Sequence, residues 1–325
     1  MTLGVHRMGD PEPDERPCHR TLRHGIVDAM NENVVRVRNL RKEYSGRAVV
    51  DDLSFDIARG ETFALLGPNG AGKSTTVEIL EGYRHRTRGE VKVLGADPAT
   101  AGLTWKARIG VVLQGTGVLG ALTVREYLTQ FAGFFPKPRG VDEVLTAVGL
   151  DEHAGMRVSK LSGGQQRRVD VALGVVGNPE LLFLDEPTTG FDPQARRDFW
   201  TMIRRLSADG TTILLTTHYL DEAEQLADRV GILVAGRLRA IGPVGTVGGE
   251  DARIPIVRWS EPGEQRTREA RTAEPGRFVA DLVARTGAEP AAVDIIRPSL
   301  EDIYLGLVAE HTGAAEPASA LVTEA

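Results

Sequence analysis

Residues 67–75 read GPNGAGKST, and the fold turns on why three glycines crowd into so short a run that closes on Lys73, Ser74 and Thr75. The segment before it, GETFALLG, is a short apolar run bounded by glycines, as a buried strand should be. After it, STTVEILEGY spaces apolar residues for a helix face (Val77 and Leu80, with Ile79 and Tyr83 fitting less cleanly). Strand, glycine-rich loop and helix match G-x-x-x-x-G-K-[ST] from Gly67 to Ser74. Glycine lets the backbone curl round phosphate oxygens with its amides inward, at the positive end of the next helix. The expected phosphate cradle is Gly67, Pro68, Asn69, Gly70, Ala71, Gly72, Lys73, Ser74 and Thr75. Within it Lys73 would reach the β- and γ-phosphates and Ser74 would offer its hydroxyl to Mg²⁺.

A second apolar run, ELLFLDEP, ends in two acids. In an open parallel sheet, ligands gather at the carboxyl ends of the strands. Asp185 is therefore expected to hold the water shell of the metal, and Glu186 to polarise the water that attacks the γ-phosphate. A carboxylate beside the metal favours water over a kinase's acceptor.

Around these motifs the chain reads as α/β. VVRVRNL alternates like a strand, AVVDDLSFDI reads as a strand pair, and RIGVVLQ and TTILLTTH look buried. Strands separated by helical patterns argue for a mostly parallel sheet with helices on its faces. From Gln114 to about Asn178 the pattern is helical, with capping boxes at Thr123–Glu126 and Ser162–Gln165. After Gly242, GPVGTVGGED reads as a linker. IPIVRW, RFVADLVART and VDIIRPSLEDIYLGLV then suggest a small α+β appendage. The expected divisions are a mobile extension (1–32), a nucleotide-binding unit (33–243) with a helical subdomain near 115–178, an accessory domain (244–312) and a disordered tail (313–325).

Composition sets outer limits. The 325 residues are 41% hydrophobic and 26% charged, ordinary for a chain with a real core. A net charge of −6 does not suggest a nucleic-acid partner held by a basic surface. A single cysteine, Cys18, fits a reducing compartment. No apolar run approaches the ~20 residues that cross a bilayer, so the chain is expected at the cytoplasmic side.

LSGGQ, Leu161 to Gln165, supplies a second anion site. Ser162, Gly163 and Gly164 would expose amides at a helix start, ahead of Gln165. A chain with one phosphate loop needs another only for a different nucleotide or a different copy. Together GPNGAGKST, LSGGQ and LLFLDEP resemble the ATP-binding cassette ATPases, the motor subunits of ABC transporters, from about Val34 to Pro243.

That resemblance implies a P-loop core of the RecA-like type, with an antiparallel β subdomain and a helical subdomain. It implies ATP and Mg²⁺ as cofactors, and a homodimer in which the LSGGQ of one copy closes over the ATP of the other. Tyr44 would stack on adenine, and Gln114 would sense the γ-phosphate or metal. Asp192 would lie in the loop that crosses the dimer interface, and His218 would contact the γ-phosphate. Lys73, Glu186 and His218 would form the catalytic set, with Ser74, Gln114 and Asp185 around the metal. Phe191 stands where leucine is more usual. His6, His19, His24, His85, His153 and His311 show no ligand-like clustering and receive no role.

The interval between Thr75 and Leu161 has no sustained heptads, unlike the DNA-repair members of the family. A single cassette is also unlike the translation-factor members. A transport motor with a separate membrane permease is the reading that remains. The C-terminal stretch resembles exporter ATPases of the daunorubicin-resistance type, implying efflux of drug-like or other hydrophobic cargo. Two alternatives stay open: a soluble ATPase acting on ribosome or DNA, and a small-molecule kinase in which LSGGQ has no task. Val118, Leu119, Leu122 and Tyr127 are expected to line a groove for the permease. The apolar face of SLEDIYLGLV (Leu300, Ile303, Tyr304 and Leu307) is expected to serve dimer or permease contact.

Overall fold

The computed structural model describes residues 33–112, 121–261, 266–290 and 292–312. The extension 1–32 with Cys18, His6, His19 and His24, the tail 313–325, and Gln114, Val118 and Leu119 lie outside the described residues.

The described chain opens with a long hairpin. β1 (Asn33–Tyr44) and β2 (Arg47–Ala58) pair antiparallel. The stretch read as a strand pair is thus one strand. Its two adjacent acids, Asp51 and Asp52, sit at an irregularity in the register, where Asp52 takes φ 58°, a conformation aspartate tolerates better than most residues. β3 (Thr62–Leu66) is wholly buried and leads into α1 (Lys73–Leu80). Tyr83 falls beyond that helix and is exposed. β4 (Arg88–Val93) joins the free edge of β1, completing a β2-β1-β4 antiparallel sheet. The one-turn α2 (Leu103–Lys106) anchors to it, with Trp105 Nε1 donating to Val93 O at 2.8 Å.

Next come β5 (Ile109–Val112), α3 (Val124–Ala132), α4 (Val141–Val148) and α5 (Gly163–Val176). Both expected capping boxes are present, at Thr123–Glu126 and Ser162–Gln165. The remaining elements of this part are β6 (Leu181–Asp185), α6 (Pro193–Ala208), β7 (Thr212–Thr217), α7 (Leu220–Leu226), β8 (Arg229–Val234) and β9 (Arg237–Pro243). The main sheet runs β5-β6-β7-β3-β8-β9, parallel except for β9. Because successive side chains of a strand face opposite ways, β6 feeds two cores. Leu182 and Leu184 pack with the helices, and Leu181 and Phe183 pack with α1 and the antiparallel sheet. Burial on both faces explains the apolar character of β3 and β6 and the full burial of β7, threonines included.

The last part contains β10 (Ile256–Ser260), β11 (Thr267–Arg271), α8 (Pro275–Thr286), β12 (Ala292–Ile296) and α9 (Leu300–Thr312). Strands β11-β10-β12 form a small antiparallel sheet, with Phe278 and Leu282 of α8 packed on Val257 and Trp259. α9 leaves this sheet. Leu300 and Ile303 are buried in the larger helical core, with Tyr304, Leu307 and Val308 packed against it. Leu300 N also donates to Glu224 Oε1 at 3.2 Å. The apolar face expected to meet another polypeptide therefore meets this chain's own core: the pattern marked a buried face but not what buries it. Val247, in the stretch read as a linker, is buried in the same core. Among the described residues, no helix is long and apolar enough to cross a membrane.

Ile303→Ala should lower stability by about 2–5 kcal/mol, the usual cost of truncating a buried aliphatic side chain. Leu305→Ala, on the exposed side of the same helix, should stay within about 0.5 kcal/mol of the parent. Urea midpoints of the two variants provide the comparison.

Candidate functional site

Parallel pairing fixes where the motifs meet. Leu66 at the end of β3 lies level with Thr217 of β7, and Asp185 of β6 lies level with Thr216. The loop after β3, His218 after β7 and Glu186 after β6 therefore emerge on one edge. The loop itself is sterically exacting. A Cβ on Gly67 would sit 2.3 Å from Leu233 O, and Gly72 holds φ 102° with Val49 O 2.7 Å from where its Cβ would be. Only glycine fits either place.

The cleft at this loop, the expected phosphate cleft, is lined by Val49, Asn69, Gly70, Gly72, Lys73, Ser74, Thr75 and Glu186. Of the expected cradle, Ala71 instead faces the core, and Gly67 and Pro68 contribute carbonyls. Lys73 Nζ curls back to donate to Gly67 O at 2.7 Å and Pro68 O at 3.3 Å. Burial lowers its pKa, opposed by the nearby carboxylates of Glu186 and Asp185.

Glu186 is the hub of the charged groups. Its Oε1 lies 3.9 Å from Lys73 Nζ and its Oε2 lies 3.3 Å from His218 Nδ1. The residue takes φ 43°, rare for anything but glycine, and its N–H donates to Thr216 O at 3.1 Å and Thr216 Oγ1 at 3.2 Å. The same hydroxyl donates to Asp185 Oδ1. Thr216 thus orients both acids, a role invisible in a strand read only as TTILLTTH.

Tyr44 stands at the tip of the β1–β2 hairpin, 38% exposed. Lys42 Nζ is 4.9 Å and Arg84 Cζ 5.5 Å from its ring centroid. An adenine stacking there would join an aromatic already flanked by cations.

LSGGQ opens a separate cleft, lined by Gly149, His153, Ser162, Gly164, Gln165, Arg168, Ala195 and Asp198. It shares no lining residue with the phosphate cleft. Ser162 is exposed at the start of α5, beside exposed Gly163. Ser162 N can only donate, and it does so to Gln165 Oε1 at 2.9 Å. Gln165 Nε2 therefore faces His153 Nε2, 2.8 Å away. His153, assigned no role from sequence, orients the signature glutamine. Its contact is tertiary, and no spacing announces it.

Asp192 caps α6, Oδ1 accepting from Gln194 N and Ala195 N, both at 2.9 Å. Those backbone bonds hold its carboxyl below the usual range. Phe191, the unusual neighbour, packs edge-on against Phe199, with centroids 5.7 Å apart. Of the residues expected to form a permease groove, Tyr127 is buried within the helical core and Leu122 packs against it. The aromatic left exposed there is Phe134, 72% accessible.

The donor set near the phosphates suits a hard divalent cation. Ser74 is exposed in the first turn of α1, and Asp185 presents a carboxylate at the neighbouring strand end. Among the described residues no group of three or more His, Cys, Asp or Glu could cage a metal.

The sequence pattern of the ABC transporter family matches residues 50–189. Nod factor export ATP-binding protein I of Rhizobium meliloti is 40% identical over 252 residues, spanning 74% of this chain and 74% of that protein. The chain belongs to the ABC transporter family. It is an ATP-binding cassette, an ATPase whose hydrolysis powers transport. A solved ATP-binding subunit of an ABC transporter, 25% identical, superposes with a TM-score of 0.61 over 84% of this cassette and 99% of that chain. A dimeric bacterial ABC transporter cassette shares the fold at 24% identity and a TM-score of 0.57, over 64% of this cassette and 98% of that chain.

One acid near the site has an unusual charge state. Glu81, just past α1, is pushed up to about 8, chiefly by burial and then by Asp185 and Glu78. Its Oε1 has no hydrogen-bond partner among the described residues. Above its ordinary pKa of 4.5 the unfolded chain ionises while the folded one keeps its proton until about pH 8. Stability therefore falls across that window, and each pKa unit is worth about 1.4 kcal/mol. Glu81→Gln should flatten this fall, gaining stability over the parent at pH 8 and little at pH 5. Melting temperatures of nucleotide- and metal-free protein at the two pH values provide the check.

Proposed function

We propose that this cassette drives an exporter as a homodimer, two copies closing head to tail over two ATP molecules. The observation that carries the reading is that one chain holds two anion-binding helix starts, at Lys73 and Ser162, in clefts with no lining residue in common. A head-to-tail pair would complete each phosphate cleft with the partner's signature, and a cassette of the same fold is known as a dimer. Residues 33–243 form the nucleotide-binding unit in this reading.

In the closed site, amides of the Gly67–Thr75 loop and the Lys73 ammonium hold the β- and γ-phosphates. Glu186 takes the proton of the attacking water, its carboxylate kept in place by Lys73 and His218. His218 Nδ1 lies toward Glu186, and the rest of the ring serves the γ-phosphate. Ser74 and Asp185 would hold Mg²⁺, which would supply charge neutralisation at the phosphates; Gln114, the third residue expected at the metal, lies outside the described residues. Tyr44 stacks on adenine, Ser162, Gly163, Gly164 and Gln165 cap the partner's γ-phosphate, and Asp192 shapes the loop between copies.

A separate permease carries the cargo and holds the cassette at the cytoplasmic face of the membrane. Export is supported by the relative named for Nod factor export, and a drug-like or other hydrophobic cargo remains the class proposed for this chain.

Glu186→Gln should bind ATP without turning it over and persist as a dimer in ATP and Mg²⁺, seen by size-exclusion chromatography with light scattering. Adding Ser162→Arg should return that variant to monomers. A Glu186→Gln protein that stays monomeric at high concentration in ATP would overturn the sandwich. Lys73→Ala should lose hydrolysis and most nucleotide affinity. Efflux that persists in cells lacking any permease would overturn the transport assignment.

A further inference from the structure

Arg167 lies in the second turn of α5, five residues beyond Ser162, and is 7% exposed. A buried guanidinium is costly to desolvate unless its donors are matched, and here they are divided between two tasks. Nη1 lies 3.5 Å from Asp170 Oδ2, one turn further along the helix and also buried. Nε donates to Pro187 O at 3.0 Å, and Nη2 to Asp185 O at 3.3 Å.

Those two carbonyls belong to the residues on either side of Glu186. The peptide between them carries the left-handed φ of 43°, a conformation that persists only where the surroundings impose it. Two elements impose it. From β7, Thr216 receives the Glu186 N–H. From α5, the Arg167 fork fixes the carbonyl before Glu186 and the carbonyl after it.

We propose that Arg167 is a positioning residue: by gripping both carbonyls that flank Glu186, it aims the Glu186 carboxylate and ties that aim to the helix that begins at the signature. This rests on the reading of Glu186 as the base and LSGGQ as the cap on the partner's ATP. Under that reading α5 carries the partner's phosphate contact at its first turn and this chain's own base grip at its second. Engagement of one ATP is thereby connected through a single helix to the base that cleaves the other. A planar fork is what the geometry requires. A lysine ammonium can reach one carbonyl but cannot match both with fixed angles.

The test compares full-length Arg167→Gln and Arg167→Lys with the charge-balanced double variant Arg167→Met/Asp170→Leu, which keeps the interior filled should Arg167→Gln fail to fold. Folding is checked by circular dichroism and thermal melting. ATP affinity is read by equilibrium binding in the Glu186→Gln background, and turnover in the native background. Expected are an ATP Kd and KM within about threefold of the parent, a kcat lowered at least about tenfold in the Gln and double variants, and partial recovery in Arg167→Lys. A purely structural role would lower the melting temperature yet leave kcat per folded molecule unchanged. Parental kcat in either folded variant lacking the guanidinium overturns the proposal. Parental turnover by Glu186→Gln alone would instead overturn the assignment of the base, and the inference with it, so the two failures are told apart.

Discussion

The site depends on the pairing of β7 between β3 and β6. Because both pairings are parallel and in step, Leu66, Thr217 and Asp185 end at nearly one level. Everything chemical follows from that alignment. The glycine-rich loop follows Leu66, while the residues after Asp185 and Thr217 supply an acid and an imidazole that meet at 3.3 Å. A slip of one residue would turn side chains between faces, exchanging the two cores that Leu182 and Phe183 now serve. Burial on both faces of the sheet therefore guards the geometry at its edge.

Charge at this edge is organised around a lysine that cannot be well hydrated. Lys73 finds carbonyls of its own loop and, at longer range, the carboxylates of Glu186 and Asp185. Glu81, lacking such a cation, is driven toward its neutral form by the same low-dielectric surroundings.

The local parts of this arrangement were legible in the sequence. Gly67 to Thr75 is one contiguous stretch in which each glycine answers a backbone demand, and the two capping boxes are set by spacing alone. What escaped depended on the third dimension. Thr216 and His153 act through contacts with residues far along the chain, and neither has an informative neighbour. AVVDDLSFDI reads as two strands yet is one, because an irregularity at its aspartates bends the strand without ending it. Tyr127 and the Leu300–Ile303 face were recognised as apolar, yet periodicity cannot distinguish another polypeptide from the chain's own core.

That last face bears on how the protein is made. Every nucleotide motif has left the ribosome once His218 has emerged, but the core beneath the signature helix receives Leu300 and Ile303 only some eighty residues later. Domains generally fold as units during synthesis. Here the unit is not whole until its end arrives. A nascent chain therefore carries these motifs before the helix that completes the core beneath them has been made. A chain stopped before Leu300 would have complete motifs and an open core.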